Sequence, residues 1–257
     1  MSLRAVVRLG LLALLALGVA AGLAYRGRGR DPSRWVVVVP TLERDAAHLL
    51  MLGVAEALVD ADVRFGAPTP ALAETWRDEG GGRFVFRLRP GVVFHDGRPL
   101  TAAAVVESLA RAFARGDAAW LGEVLTVRAA GDDAVEVTAA SPTFPVPGYL
   151  ARVPVLAPGA WDAAGRVVAP VGTGPFAVER FEDEGGATLR AHRRWSGAGP
   201  AVASVEVRVV KDPGTRVAML EAGEADWAQR IPRHDVERLA RAGFRAPPSA
   251  YLYNVYV

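Results

Sequence analysis

The stretch Arg83-Phe-Val-Phe-Arg-Leu-Arg-Pro-Gly-Val-Val-Phe-His-Asp-Gly-Arg-Pro-Leu-Thr101 decides how the rest of the chain is read. Phe84, Phe86 and Leu88 alternate with Val85, Arg87 and Arg89, which is the period of a half-buried strand. Pro90-Gly91 and Asp96-Gly97 are turn dipeptides, and Pro99 keeps a helix from starting early. Thr101 then offers a side-chain oxygen to a helix start, and Val105, Leu109 and Phe113 recur at the spacing of one buried helical face. A strand, a stiff turn and a capped helix are scaffold, not catalytic machinery.

A second stretch, Pro170-Val-Gly-Thr-Gly-Pro-Phe176, is another Pro/Gly turn entering a strand. A third passes from a strand at 205–210 through Asp212-Pro-Gly-Thr-Arg216 to Ala222-Gly-Glu-Ala-Asp226. Leu72-Ala-Glu-Thr-Trp76 precedes the first stretch. In this order and spacing the motifs resemble those of the family 5 extracellular solute-binding proteins, the peptide, dipeptide and nickel receptors of ABC importers. The resemblance implies an α+β (mixed α/β) fold, a periplasmic-binding-protein-like type II lobe with an inserted smaller subdomain. It assigns 35–63 and 169–257 to the main lobe and 64–168 to the subdomain.

The chain also departs from that pattern. No Leu-Asp-Pro follows Val36-Val-Val-Val-Pro40, the usual Tyr-Glu-Gly-Leu reads Ala55-Glu-Ala-Leu58, and Ala104 replaces the acidic partner that would complete a capping box with Thr101. Receptors of this family have two lobes, so 257 residues ending at Tyr251-Leu-Tyr-Asn-Val-Tyr-Val257 stop where the second lobe is expected to begin. The expectation is a chain whose second lobe is missing, as a fragment or a truncated product.

Composition narrows the function classes. With 51% hydrophobic and 23% charged residues the chain can bury a sizeable core. A formal net charge of +2 leaves no nucleic-acid footprint. Lys211 is the sole lysine, read together with abundant alanine as genome composition. The absence of cysteine excludes disulfides, iron–sulfur clusters and a lipoprotein anchor. Arg4 and Arg8 precede an unbroken apolar run at 9–24, so 1–24 reads as a cleaved signal peptide or a signal anchor, followed by an Arg-rich linker at 25–34. Both readings place the body outside the cytoplasm, the anchor provided that it inserts with its N-terminus inside, with membrane contact only through this segment.

Between the motifs, 36–39 reads as a fully buried strand and 44–59 as a helix with Ala47, Leu50, Met51, Val54 and Leu58 on one face. Residues 124–128 and 134–138 form a hairpin, 153–156 a strand, 176–181 and 187–192 a second hairpin, and 215–222 and 234–242 helices. His48, His95, His192 and His234 are scattered without metal-ligand spacing, and His95 reads as part of a turn. No Gly-x-Ser-x-Gly and no phosphate loop is present, so a hydrolase has no motif behind it. Glu182, Asp183 and Glu184 read as a solvated hairpin tip rather than a metal site.

The candidate ligand-binding residues are Glu43, Trp227, Gln229, Tyr251 and Tyr253. Glu43 lies just past the first strand, where the resemblance puts polar groups at a cleft; otherwise it is a surface carboxylate at a helix start. Trp227 and Gln229 follow the Ala-Gly-Glu-x-Asp motif on a strand whose end faces the cleft in the family; Trp227 is equally read as core. Tyr251 and Tyr253 combine apolar area with a hydroxyl, which suits a peptide groove or plain packing. No cofactor is expected. The resemblance implies a non-enzymatic receptor that takes a peptide-like solute or a nickel complex and delivers it to ABC permease subunits. The alternative is a one-lobe, membrane-tethered interaction protein reusing the scaffold.

Overall fold

The computed structural model describes residues 31–60, 67–114, 118–182, 185–197, 199–200, 202–245 and 255–256. The leader at 1–24, the linker as far as residue 30, the acidic pair Asp183 and Glu184, and Tyr251 and Tyr253 lie outside them.

Strand β1 (Arg34–Val39) opens the fold, and its valines explain its position. Val37 and Val39 belong to one apolar cluster and Val36 and Val38 to another, so the strand is buried on both faces. Helix α1 (Ala46–Met51) follows, capped by Asp45, whose carboxylate accepts the His48 amide at 2.8 Å. The helix expected over 44–59 stops here. Gly53 takes a left-handed φ of 68°, its amide donates to Leu50 O, and the Val54 amide donates to Leu49 O. That is a Schellman ending, which satisfies the last carbonyls and turns the chain out of the helix. Leu49 and Leu52 carry the burial, and Ala47 is exposed, so the expected helical stripe is replaced. Val54 and Leu58 are buried outside the helix, in bends flanking the short strands β2 (Glu56–Ala57) and β3 (Val59–Asp60).

Strands β4 (Thr69–Pro70), β5 (Ala73–Asp78) and β6 (Arg83–Leu88) come next, with Gly80, Gly81 and Gly82 at positive φ turning β5 into β6. Phe86 and Leu88 are buried while Arg83 and Arg87 face water, as the alternation requires. Helix α2 (Ala102–Ala114) begins where expected: the Ala104 amide donates to Thr101 Oγ1 at 3.2 Å, and Val105, Leu109 and Phe113 are buried. A 3₁₀ turn at Ala119–Glu123 leads to the hairpin β7 (Leu125–Ala129) and β8 (Ala134–Ala139), then helix α3 (Val146–Leu150) and β9 (Pro154–Val155). Strands β5-β6-β8-β7 form an antiparallel sheet on which α2 packs, and one core gathers residues from Leu58 to Ala157.

The remaining elements are β10 (Phe176–Phe181), β11 (Ala187–Ala191), β12 (Ser204–Val209), helix α4 (Pro213–Glu221), β13 (Trp227–Ala228), helix α5 (Arg233–Arg241) and β14 (Val255–Tyr256). With β1 they build a six-stranded sheet ordered β10-β11-β12-β1-β13-β14. β1 runs parallel to both β12 and β13, and the outer pairs are antiparallel. One face carries α1 and the cluster around Leu49, Leu52 and Phe176; the other carries Val217 and Leu220 of α4 and Leu239 of α5.

Candidate functional site

An aromatic groove of about 640 Å³ lies between the 3₁₀ turn, helix α3 and Ala47 of α1. Trp120 is 47% exposed and Tyr149 38% exposed, which is unusual for large aromatic side chains. Their rings meet edge to face at 5.2 Å, and Phe144 stacks on Tyr149 at 4.7 Å. The cluster holds itself rigid while leaving faces open to solvent. Arg152 sits exposed on the same rim, with no carboxylate partner among the described residues. An apolar wall with one unpaired guanidinium can stack on a flat or aliphatic ligand and fix an anionic group on it. A larger hollow at the start of β1 is different. Its Arg34, Arg180 and Arg190 are ion-paired with Glu206, Glu182 and Glu179, so among the described residues most of its charge is spent internally, Arg193 excepted.

Glu43 is exposed in the loop between β1 and α1. Gln229 is 6% exposed; its amide nitrogen lies 3.2 Å from Met51 Sδ, tying the end of β13 to α1. Trp227, at 2% exposure, packs in the same core cluster as Leu49 and Leu52, with its indole nitrogen buried and unpartnered. Sequence reasoning missed Trp120, Tyr149 and Arg152. They lie outside every motif, and only the folding of the 3₁₀ turn against α3 makes them one surface.

The sequence motifs themselves meet at a second place. The His95 amide donates to Gly172 O at 2.9 Å, the Gly172 amide donates to His95 Nδ1 at 3.3 Å, and His95 Nε2 donates to Gly174 O at 3.0 Å. This geometry needs the neutral ring protonated on Nε2. His192 stands edge-on at 4.8 Å, its Nδ1 3.2 Å from the same Gly174 carbonyl. The turn read at His95 is thus a lock between two motifs 77 residues apart. Burial, with His192 adding to it, pushes the His95 ring down to about 4, against Gly174 O, which favours the charged form. A base with a lowered pKa contributes stability above its ordinary value that is lost as pH falls through the folded one. Unfolding free energy is therefore expected to drop between pH 6.5 and 4, by up to about 3 kcal/mol from this ring. Urea titrations of wild type and His95→Gln across that range check it: the two curves should converge toward pH 4, and parallel curves would refute the assignment.

No group of three or more His, Asp or Glu residues among the described residues could hold a metal ion, and His95 spends both ring nitrogens, and His192 its Nδ1, on the Gly172–Gly174 loop. No helix among the described residues is long and apolar enough to cross a membrane.

Comparison with known proteins meets this geometry. The family described as bacterial extracellular solute-binding proteins, family 5 Middle, matches residues 67–256, most of the chain and all three sequence motifs. The chain belongs to the family 5 extracellular solute-binding proteins. Family 5 relatives include the nickel-binding periplasmic protein of Escherichia coli strain K12, 29% identical over 173 residues covering 63% of this chain and 33% of the relative. The glutathione-binding protein GsiB of Pectobacterium atrosepticum is 32% identical over 161 residues, covering 59% of this chain and 31% of the relative. Among solved family 5 folds, NikA from Brucella suis in complex with Fe(III)-EDTA superposes with a TM-score of 0.71 at 25% identity, over 85% of this chain and 49% of that one. The nickel ABC transporter protein from Bacillus halodurans superposes at 0.70 and 26% identity, over 80% and 45%. The chain thus spans about a third of these curated relatives and about half of the solved chains.

Proposed function

We propose that this chain is the first lobe of an extracytoplasmic receptor that captures a small solute, peptide-like or a nickel complex, and hands it to the permease of an ABC importer. The reading rests on one observation above the rest, the exposed aromatic groove with Arg152 on its rim, unpaired among the described residues. It treats 64–168 as the subdomain carrying that groove and 35–63 with 169–257 as the main lobe. The segment 1–24 exports the body or tethers it outside the membrane. Catalysis has no part in it; the work is hinge closure of two lobes around the solute.

Glu43, in the loop before α1, and Gln229, against Met51 of α1, remain the polar candidates, though neither lines the groove. Trp227 is a core residue beside Leu49 and Leu52, and Tyr251 and Tyr253 stay candidates from the sequence alone. One wall leaves much of a ligand wet, whereas small-molecule sites bury ~70–90% of it. Calorimetry with a peptide library and nickel–histidine complexes tests the reading on this chain and on a version carrying a second lobe. The two-lobe version is expected to bind at least about tenfold tighter, worth ~1.4 kcal/mol. Trp120→Ala should weaken that binding by a further factor of about ten, with the unfolding midpoint nearly unmoved because the ring is half exposed. Unchanged affinity in Trp120→Ala would remove the groove from the site.

A further inference from the structure

Glu56 opens β2, and its carboxyl is buried where three distant segments converge. The loop 171–176 lies on the backbone of residues 53–55: the Gly174 amide donates to Val54 O at 3.0 Å and the Phe176 amide to Gly53 O at 3.1 Å. Thr173, at the centre of that loop, is 1% exposed and turns its hydroxyl inward. The turn after β11 brings Trp195, whose amide donates to His192 O at 3.1 Å. Glu56 Oε2, Thr173 Oγ1 and Trp195 Nε1 are all buried, and none closes a hydrogen bond of normal geometry. Thr173 and Trp195 nonetheless approach the carboxyl closely enough to favour its charged form.

The other charged groups acting on Glu56 are Arg89, which also favours the carboxylate, and Asp60, which opposes it. His95 and His192 hold the same loop from Gly174. Neither a full salt bridge nor a ring of donors compensates the burial. Desolvation therefore dominates and raises the carboxyl to about 7.

We propose that Glu56, Thr173 and Trp195 form a proton-operated catch, closed while Glu56 keeps its proton and loosened when the proton leaves. The neutral acid can donate its O–H to Thr173 Oγ1 and accept from the Trp195 indole through its carbonyl oxygen. The carboxylate can still accept from both groups, but it places an under-compensated charge in the dry joint, and that desolvation cost favours opening the joint to water. Loop 171–176 carries the chain from the side of β9 and the core running from Leu58 to Ala157 into β10 of the six-stranded sheet. A loosened catch frees those two bodies from one another, so solute capture by the groove becomes pH-sensitive near neutrality.

The test follows the Trp195 indole N–H by ¹⁵N NMR of the whole chain from pH 5 to 9, with Trp195→Phe assigning the resonance. The expected result is one step with a midpoint near 7, absent in Glu56→Gln. Amide exchange at Thr173 and Gly174, corrected for its intrinsic pH dependence, should rise about tenfold across the same step in wild type only. A flat indole trace between pH 6 and 8, or a step that survives in Glu56→Gln, overturns the proposal. Should Glu56→Gln fail to fold, the Glu56 carboxyl ¹³C shift in wild type decides: a midpoint near 7 supports the catch, and one at 4–5 refutes it.

Discussion

Gly172→Ala is expected to destabilise the chain by roughly 3–5 kcal/mol, the range of severe core disruptions. A Cβ at this position would stand 2.1 Å from Val54 O, 2.8 Å from Val54 C and 2.9 Å from Ala55 Cα. All three are backbone atoms, so no side-chain rotation relieves the clash. The loop cannot lift away cheaply either. Its backbone is pinned by the His95 amide on Gly172 O, the Ala157 amide on Val171 O at 2.8 Å and the Gly174 amide on Val54 O. Displacing it breaks several of these and opens the His95 lock as well. For a chain of this size the loss corresponds to a fall in melting temperature of roughly 10 °C or more. Gly131→Ala is the control: that glycine has a φ of 98°, but a Cβ there would meet nothing within 4 Å, so only backbone strain of about 1–2 kcal/mol is expected. Differential scanning calorimetry of the two variants separates crowding from strain. Equal small losses would mean the loop at 170–176 adapts.

The second large effect is expected from Arg216. This arginine is 3% exposed and has no carboxylate against its guanidinium among the described residues. Instead Nε donates to Gln229 O at 2.9 Å, Nη1 to Val210 O at 2.7 Å and Lys211 O at 2.9 Å, and Nη2 to Arg230 O at 2.9 Å. Two of these carbonyls follow β12 and two follow β13, the strands on either side of β1. One planar fork thus ties the end of the sheet across its central strand, and it holds Arg230 at a left-handed φ of 52° that a side chain seldom adopts. Arg216→Met keeps the apolar stem and leaves four carbonyls without their donor. Charge-assisted hydrogen bonds and the penalty for stranded buried acceptors together put the cost at roughly 3–5 kcal/mol. Lysine carries a single ammonium that cannot span four acceptors, so Arg216→Lys should recover less than half. Urea unfolding gives both numbers, and a loss under about 1 kcal/mol in Arg216→Met would show that the sheet end holds without the fork.

Local pattern was enough for the parts of the fold whose residues speak for themselves. The four valines of β1, the alternation in β6, the Thr101 cap and stripe of α2, and the hairpins at 125–139 and 176–191 are each written within a dozen or so neighbouring residues. The three motifs in sequence placed the chain in its family for the same reason: each encodes a turn with few chemical solutions. Reading failed at α1, where the apolar residues of 44–59 fit a helical wheel but Gly53 ends the helix by taking a left-handed conformation and closing a Schellman bond pair. Periodicity could not report this, because a continuing helix and a helix followed by buried bends and short strands share the same apolar residues.

The candidate site divides along the same line. Glu43 and Gln229 were expected at the site from their places beside motifs; the fold sets both around α1, outside the lining of the aromatic groove. Trp120, Tyr149 and Arg152 carry no local signal, and His95, His192, Thr173, Glu56 and Trp195 come from widely separated parts of the chain. Scaffold class, caps, turns and family were legible because each depends on neighbours along the chain. Which aromatic faces stay in water, which histidine loses its affinity for a proton and which carboxyl keeps one emerged only on folding. Exposure and desolvation are set by what packs against a group, and here that is chain from far away in the sequence.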